Sequence, residues 1–129
     1  MENLVIRILV LSEKKEFWRN IYNSTGSFTV LVDFQYDFYT DTTIEKKEFD
    51  NYALCIVLAS KNDYDKDIEL CKRYRELTDK PLLILGDSDT KMAVDFLKSG
   101  ADDYIRIPIS KNTFEILLYA HYRRECRKK

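Results

Sequence analysis

Three short apolar runs, rich in β-branched residues, stand out along the chain. They lie at residues 4–11, 52–59 and 81–85. Within each run the apolar residues are continuous and do not alternate with polar ones, which is typical of strands buried on both faces of a parallel sheet. Two weaker runs, at residues 28–34 and 103–106, predict two further strands.

Stretches with helical periodicity separate these runs. Apolar residues recur three and four positions apart in four places: around Phe17 and Ile21, from Ile68 to Leu77, from Met92 to Leu97 and from Phe114 to His121. Ser12 and Ser110 precede two of these stretches and are predicted N-caps, while Gly100 is predicted to end a third. Residues 35–51 are polar and poorly periodic, so the helix expected there should be short, irregular or mobile.

Strand and helix alternate five times, which predicts a doubly wound α/β fold with a five-stranded parallel sheet. The 129 residues amount to a single domain, spanning 1–129. The net charge of −1 gives no bulk signal for nucleic acid, although residues 123–129 are basic. We interpret that basic run as a solvated helix end; a nucleic-acid arm or the start of a linker is the alternative. Three widely spaced cysteines without a metal motif fit a reducing cytoplasm.

Residues 100–108 read Gly-Ala-Asp-Asp-Tyr-Ile-Arg-Ile-Pro. Together with the strand pattern, this run resembles the CheY-like receiver domain of bacterial response regulators, and most of all its OmpR/PhoB-type, winged-helix subfamily. The resemblance implies the flavodoxin-like (βα)₅ receiver fold. It also implies phosphoryl transfer from a histidine kinase to an aspartate, assisted by Mg²⁺.

The residues that carry this chemistry in receivers are mostly replaced here. The resemblance places the Mg²⁺-binding acid pair on Ser12 and Glu13, and the aspartate nucleophile on Leu58, or on Ala59 if the strand is one residue longer. It places the phosphate-binding hydroxyl on Gly86 and the lysine on Ile107. Of these positions only Glu13 keeps its chemistry. We therefore expect a degenerate pseudo-receiver that is not an enzyme, with no catalytic residue, no metal site, no cofactor, and Mg²⁺ binding lost or very weak.

Other candidate residues lie near the predicted strand ends. Asp87 and Glu13 together suggest a weak cation site, but two exposed strand-end acids are the favoured interpretation. Residues 62–67 carry alternate carboxylates yet lack the glycine and closing glutamate of a calcium loop, so a solvated loop is expected. Tyr104 matches the switch aromatic that swings inward in receivers when the hydroxyl engages phosphate; without that trigger, a half-buried tyrosine on an edge strand is expected. His121, the only histidine, has no motif partner and no predicted catalytic role.

The resemblance also implies a dimer surface formed by the helix before Gly100, the last strand and the last helix. Asp102 and Asp103 match two acids of that surface, but Leu117 stands where an arginine is expected and Lys98 where an acid is expected. Lys98, Tyr104, Arg106 and Tyr119 are the predicted exposed contacts, with Tyr119 as an aromatic anchor. The alternative is an ordinary solvated surface on a monomer.

The resulting hypothesis is a phosphorylation-independent signalling domain in the cytoplasm. We expect it to be the N-terminal domain of a transcriptional response regulator whose DNA-binding effector domain is absent from this chain, with a protein or a second copy as partner. The alternative is a stand-alone protein-interaction adaptor. A nucleotide-binding enzyme is disfavoured because Gly26, Gly86 and Gly100 form no phosphate loop. No apolar stretch approaches 18 residues, so no membrane partner is expected.

Overall fold

A computed structural model describes residues 4–11, 32–39 and 44–128. In this part of the chain five parallel strands form one sheet. The strands are β1 (Leu4–Leu11), β2 (Val32–Tyr39), β3 (Leu54–Leu58), β4 (Leu82–Asp87) and β5 (Asp103–Ile107). Their spatial order is β2-β1-β3-β4-β5. The central strands β1, β3 and β4 are the three continuous apolar runs of the sequence, and the predicted parallel sheet is confirmed.

Helices cover both faces of this sheet. The described helices are α1 (Lys46–Phe49), α2 (Tyr64–Leu77), α3 (Thr90–Lys98) and α4 (Lys111–Arg127), with a 3₁₀ turn at Lys61–Asp63 before α2. Apolar residues of α1, α2 and α3 join one core cluster, while Phe114 and Leu118 of α4 join a second cluster on the opposite face. The doubly wound α/β arrangement is therefore confirmed. None of the described helices is long and apolar enough to cross a membrane.

The local signals for helix ends proved reliable where the structure describes them. The side chain of Ser110 accepts a hydrogen bond from the backbone N–H of Thr113 and caps α4, as predicted. Gly100 follows the C-cap of α3 with a φ of 116°, a backbone conformation that favours glycine. The expected short helix in the polar segment is α1, only four residues long. The predicted first helix, with its cap Ser12 and with Trp18, lies outside the described residues.

The prediction for β2 was wrong in its extent. The strand was expected to end at Phe34, but it continues to Tyr39 and pairs with β1 along its whole length. In residues 32–39, Asp33, Gln35 and Asp37 alternate with larger apolar side chains, so the segment reads as polar although it has the period of a strand. The structure shows that this alternation, and not average polarity, was the relevant signal.

The corner between α3 and β5 is held by Arg75 from α2. Its guanidinium donates hydrogen bonds to the carbonyl of Gly100 at 3.2 Å and to the Asp102 carboxylate at 2.8 Å. It also bonds the carbonyls of Thr78 and Lys80, both at 2.7 Å. A Cβ on residue 100 would lie 2.7 Å from the Arg75 side chain, so glycine is required here for space as well as for its φ. This clamp sets where β5 begins.

Candidate functional site

The candidate pocket lies where the carboxyl ends of β3, β4 and β5 meet, the edge at which open α/β sheets bind ligands. Leu58 pairs with Leu85, and the backbone N–H of Ala59 donates to the carbonyl of Leu85 at 2.9 Å. Leu58 packs in the core cluster beneath α4, whereas Ala59 packs in the cluster on the opposite face. Both side chains are 2% exposed. The two candidate positions at the end of β3 therefore lie on opposite faces of the sheet, and both are closed to solvent.

Gly86 and Tyr104 occupy the centre of this edge. The hydroxyl of Tyr104 donates a hydrogen bond to the carbonyl of Asp87 at 2.6 Å, and its ring centroid lies 5.9 Å from that of Phe96. A Cβ built on residue 86 would lie 2.6 Å from the Tyr104 Oη and 3.2 Å from the carbonyl oxygen of Ala59. The Tyr104 side chain thus fills the space that any side chain at position 86 would need.

Tyr104 is only 9% exposed, so the expectations of a half-buried tyrosine and of an exposed contact at this position were both wrong. Burial first, and the nearby carboxylates of Asp87 and Asp89 second, raise the pKa of Tyr104 to about 12. The phenol therefore remains a neutral donor to the Asp87 carbonyl at physiological pH. The sequence signal was Gly86: its pairing with Arg106 places Tyr104, two residues earlier in β5, beside the missing side chain.

Lys61 connects the loop that follows β3 to the segment at the end of β4. Its backbone N–H donates to the Asp87 carboxylate at 3.0 Å, and its ammonium lies 3.3 Å from the Asp89 carboxylate. Asp89 also caps α3 by accepting a bond from the N–H of Met92 at 3.0 Å. The hydrogen bond from Met92 is the main reason that the pKa of Asp89 is lowered, and the nearby Lys61 ammonium also lowers it.

Among the described residues, the end of β3 offers no side-chain ligand for Mg²⁺. The receiver resemblance requires an acid pair and a carboxylate at the end of β3, and neither Leu58 nor Ala59 supplies an oxygen ligand from its side chain. The described carboxylates nearby, Asp87 and Asp89, already hold Lys61. Ser12 and Glu13 lie outside the described residues. Asp87 is thus a loop-bridging residue in this structure.

The acidic segment 62–67 serves the same loop. Asp67, in the first turns of α2, is buried and accepts a hydrogen bond from the backbone N–H of Ser60 at 3.1 Å. The expectation of a wholly solvated loop was therefore wrong for Asp67, although Asp65 is exposed. The Asp67 carboxylate holds the chain in place just after Ala59.

Ile107 completes the pocket edge. It pairs with Asp87 at the end of β5, is half-buried, and packs against the core cluster under α4. The structure thus brings Ala59, Gly86 and Ile107 to adjacent strand ends, with Leu58 directly before Ala59. None of the three carries a group that can accept, bind or neutralise a phosphoryl group.

Both acids of the Gly-Ala-Asp-Asp run have partners inside the chain. The Asp102 carboxylate accepts hydrogen bonds from the Arg75 guanidinium and from the backbone N–H of Leu82, each at 2.8 Å. Asp103 lies 2.9 Å from the Nε2 of His121, which is itself buried. Sequence analysis gave His121 no role, and its partnership with Asp103 ties α4 to β5.

The two long edges of α4 face different strands. Glu115 accepts a hydrogen bond from the Tyr36 hydroxyl in β2 at 3.1 Å, whereas His121 reaches Asp103 in β5. Residues four apart share a helix face. Leu117 therefore lies on the β5 side, and Tyr119 lies on the β2 side, where its ring stacks 6.3 Å from Tyr122. Tyr119 is not positioned next to Lys98 and Arg106.

Comparisons with known proteins fit this geometry. No protein-family profile matches the chain. The receiver domain of the Francisella response regulator 1452 has 25% identity and a TM-score of 0.62, covering 93% of this chain and 98% of that one. The chain has the receiver fold. A putative pilus assembly-related protein from Burkholderia pseudomallei shares it at 14% identity, with a TM-score of 0.68 over 92% of this chain and 90% of that one.

One curated relative extends the similarity to sequence. The transcriptional regulatory protein SpaR from Bacillus subtilis is 37% identical over 82 residues. The match covers 63% of this chain and 37% of that protein, so the receiver-fold chain spans little more than a third of its relative.

Proposed function

We propose that this chain is a regulatory domain of a two-component-type response regulator that signals without phosphoryl transfer. The observation that carries the proposal is Tyr104, packed inward over Gly86 with its hydroxyl on the Asp87 carbonyl. In receivers, as the sequence resemblance implies, the equivalent aromatic turns inward when a hydroxyl neighbour engages phosphate. Here the aromatic holds that position through contacts within the chain.

The pocket composition supports the absence of catalysis. Phosphoryl transfer to a receiver needs a carboxylate nucleophile, a hydroxyl and a lysine beside it. The resemblance places Leu58 or Ala59, Gly86 and Ile107 at those positions. We therefore propose a domain that is not an enzyme, uses no Mg²⁺ or other cofactor, and acts through binding alone.

The sequence similarity to SpaR favours a transcriptional regulator as the larger context. On this proposal a DNA-binding effector domain of the winged-helix type belongs to the same protein, and the domain resides in the cytoplasm. Three widely spaced cysteines without a metal motif are the sequence feature that favours this reducing compartment.

A second candidate is a stand-alone adaptor that docks on a partner protein. The shared fold of the Burkholderia pilus assembly-related protein favours it, because that name places the fold outside transcription. Sequencing the whole gene decides between the two. A winged-helix domain in the same reading frame supports the regulator, and an open reading frame confined to the receiver fold supports the adaptor.

The central test is intact-mass spectrometry after incubation with acetyl phosphate and Mg²⁺. We expect no gain of about 80 Da, the mass of one phosphoryl group. A receiver domain with the complete set of phosphorylation residues, treated in parallel, serves as the control and should gain that mass. Acid-labile phosphate mapped to any carboxylate at the strand ends would overturn the proposal.

A further inference from the structure

A small cavity lies at the end of the sheet opposite to the candidate pocket, where β4 and β5 begin and α4 ends. Its volume is about 160 Å³, below the roughly 300–1,000 Å³ of sites that hold drug-sized ligands. The polar residues that line it are Asp79, Asp102, His121, Arg124, Glu125 and Lys128. A ligand of this cavity would therefore have few heavy atoms and would itself be polar.

Two opposite charges at this cavity have no partner. Asp102 is bound by the guanidinium that fixes the corner between α3 and β5, and the Lys128 ammonium lies 3.7 Å from the Glu125 carboxylate. Arg124 and Asp79 are both exposed, and within residues 4–11, 32–39 and 44–128 neither side chain forms an ion pair or a hydrogen bond. The cavity thus offers an unpaired cation from α4 and an unpaired anion from the segment before β4.

His121 adds a buried polar group to the same cavity, since only 7% of this residue is exposed. Its Nε2 lies 2.9 Å from the Asp103 carboxylate, whereas its Nδ1 has no hydrogen-bond partner in the part of the chain that the structure describes. With Nε2–H donating to the carboxylate, Nδ1 is an acceptor. Because buried polar groups are normally hydrogen-bonded, this nitrogen suits an N–H donor of a ligand.

Asp103 connects the cavity to Tyr104. One carboxylate oxygen of Asp103 faces His121, and the other accepts the backbone N–H of Tyr104 at 2.8 Å. A ligand that contacts the imidazole therefore acts on the carboxylate that holds the first residues of β5. Binding at this end of the strand can reach the residue that fills the pocket at the other end.

We propose that this cavity binds a small zwitterion of amino-acid type, with its carboxylate on Arg124 and its ammonium group on Asp79 and the His121 ring. A simple anion would leave Asp79 unpaired, and a simple cation would leave Arg124 unpaired, whereas a molecule with both charges matches both. The inference rests on the proposed function, because a domain that takes no phosphoryl group needs another input.

The test is NMR titration of His121, the only histidine of the chain, whose ring protons give a unique signal. The probes are glycine, β-alanine and γ-aminobutyrate, which separate the two charges by progressively longer carbon chains. We expect at least one of them to shift the His121 signal saturably, with half-saturation at about 1 mM or below. Propionate and propylamine, which each carry one of the two charges, should bind at least about tenfold more weakly.

Variants locate the binding on the molecule. Asp79→Asn and Arg124→Gln should each weaken the best zwitterion about tenfold, because each removes one charge-assisted contact. Asp65→Asn and Arg123→Gln are matched controls, because they make the same changes at exposed residues outside the cavity and should leave binding unchanged. Circular dichroism of every variant checks that the fold persists.

Several results would overturn the inference. They are no saturable shift with any of the three zwitterions, equal binding of propionate or propylamine, unchanged binding in Asp79→Asn and Arg124→Gln, or an equal loss in Arg123→Gln. Intact mass, measured on the same samples after acetyl phosphate treatment, reports on the proposed function separately. A mass gain removes that function whatever the zwitterions do, whereas missing zwitterion binding without a mass gain removes only this inference.

Discussion

The substitution Gly86→Ala tests most directly the contact between position 86 and the Tyr104 side chain. The added Cβ would lie 2.6 Å from the Tyr104 Oη and 3.1 Å from its Cζ, while the Ala59 carbonyl at 3.2 Å blocks a shift the other way. Because a backbone carbonyl yields little, the tyrosine ring must move. Its hydrogen bond to the Asp87 carbonyl is then lost or lengthened.

The expected cost follows from three contributions. Overpacking a filled site costs about 1–3 kcal/mol, and losing a buried hydrogen bond costs about 1 kcal/mol. Alanine recovers about 0.4–1 kcal/mol by restricting the unfolded chain, because the φ of Gly86 is not in the positive region. The net expectation is a destabilisation of about 2 kcal/mol.

The contact between position 86 and Tyr104 is isolated by measuring the effect of Gly86→Ala on urea denaturation in three proteins: the wild type, Tyr104→Phe and Tyr104→Ala. With Tyr104→Phe the nearest atom is gone but Cζ remains, so Gly86→Ala should cost about 1 kcal/mol or less. With Tyr104→Ala the ring is gone, and the same substitution should stabilise the fold by about 0.5 kcal/mol. If the effects of Gly86→Ala and Tyr104→Ala add within about 0.5 kcal/mol, the two residues do not compete for space and the reasoning is refuted.

Three further predictions concern buried or half-buried positions. Burial raises the pKa of Glu115, with the Tyr36 hydrogen bond and Lys111 acting against it, so the folded state favours the protonated acid. The stability from this proton is fully present below the ordinary glutamate pKa and is lost as pH rises through the folded value. Glu115→Gln should therefore raise the urea midpoint at pH 7 and show no such gain below about pH 4; an equal gain at both pH values would contradict it. Leu58→Asp, which restores an acid in a 2%-exposed site, should cost about 3 kcal/mol or more in the same assay. Ile107→Lys should cost less, because Ile107 is half-buried and a lysine there can extend to solvent; an unchanged midpoint for Leu58→Asp would show that its site is open to water.

Local sequence signals predicted most of the architecture. Continuous apolar runs gave β1, β3 and β4, and Ser110 and Gly100 marked helix ends, because each of these features acts within a few residues of itself. The extent of β2 was missed because its polar residues lie on one face of a strand, and a strand at the edge of the sheet need not be apolar throughout.

Contacts between residues that are distant in the sequence could not be predicted from the local pattern of apolar and polar residues. The inward packing of Tyr104 depends on space left by Gly86, a glycine 18 residues away in the sequence. The pairs His121–Asp103 and Arg75–Asp102 likewise join separate elements. Sequence analysis read Asp102 and Asp103 as possible intersubunit contacts, and only coordinates reveal their partners within the chain.

The run at residues 100–108 contributes to both the scaffold and the pocket edge, and the Arg75 clamp holds only its scaffold end. Gly100 and Asp102 lie where β5 begins, at the end of the sheet opposite to Ala59, Gly86 and Ile107. The opening of this recognisable run, from Gly100 to Asp102, is thus part of the scaffold, and the Arg75 contacts that hold it make no demand on phosphorylation. A search guided by that run will collect receiver scaffolds whether or not they have the chemistry, and only the residues at the far end of the strands distinguish the two.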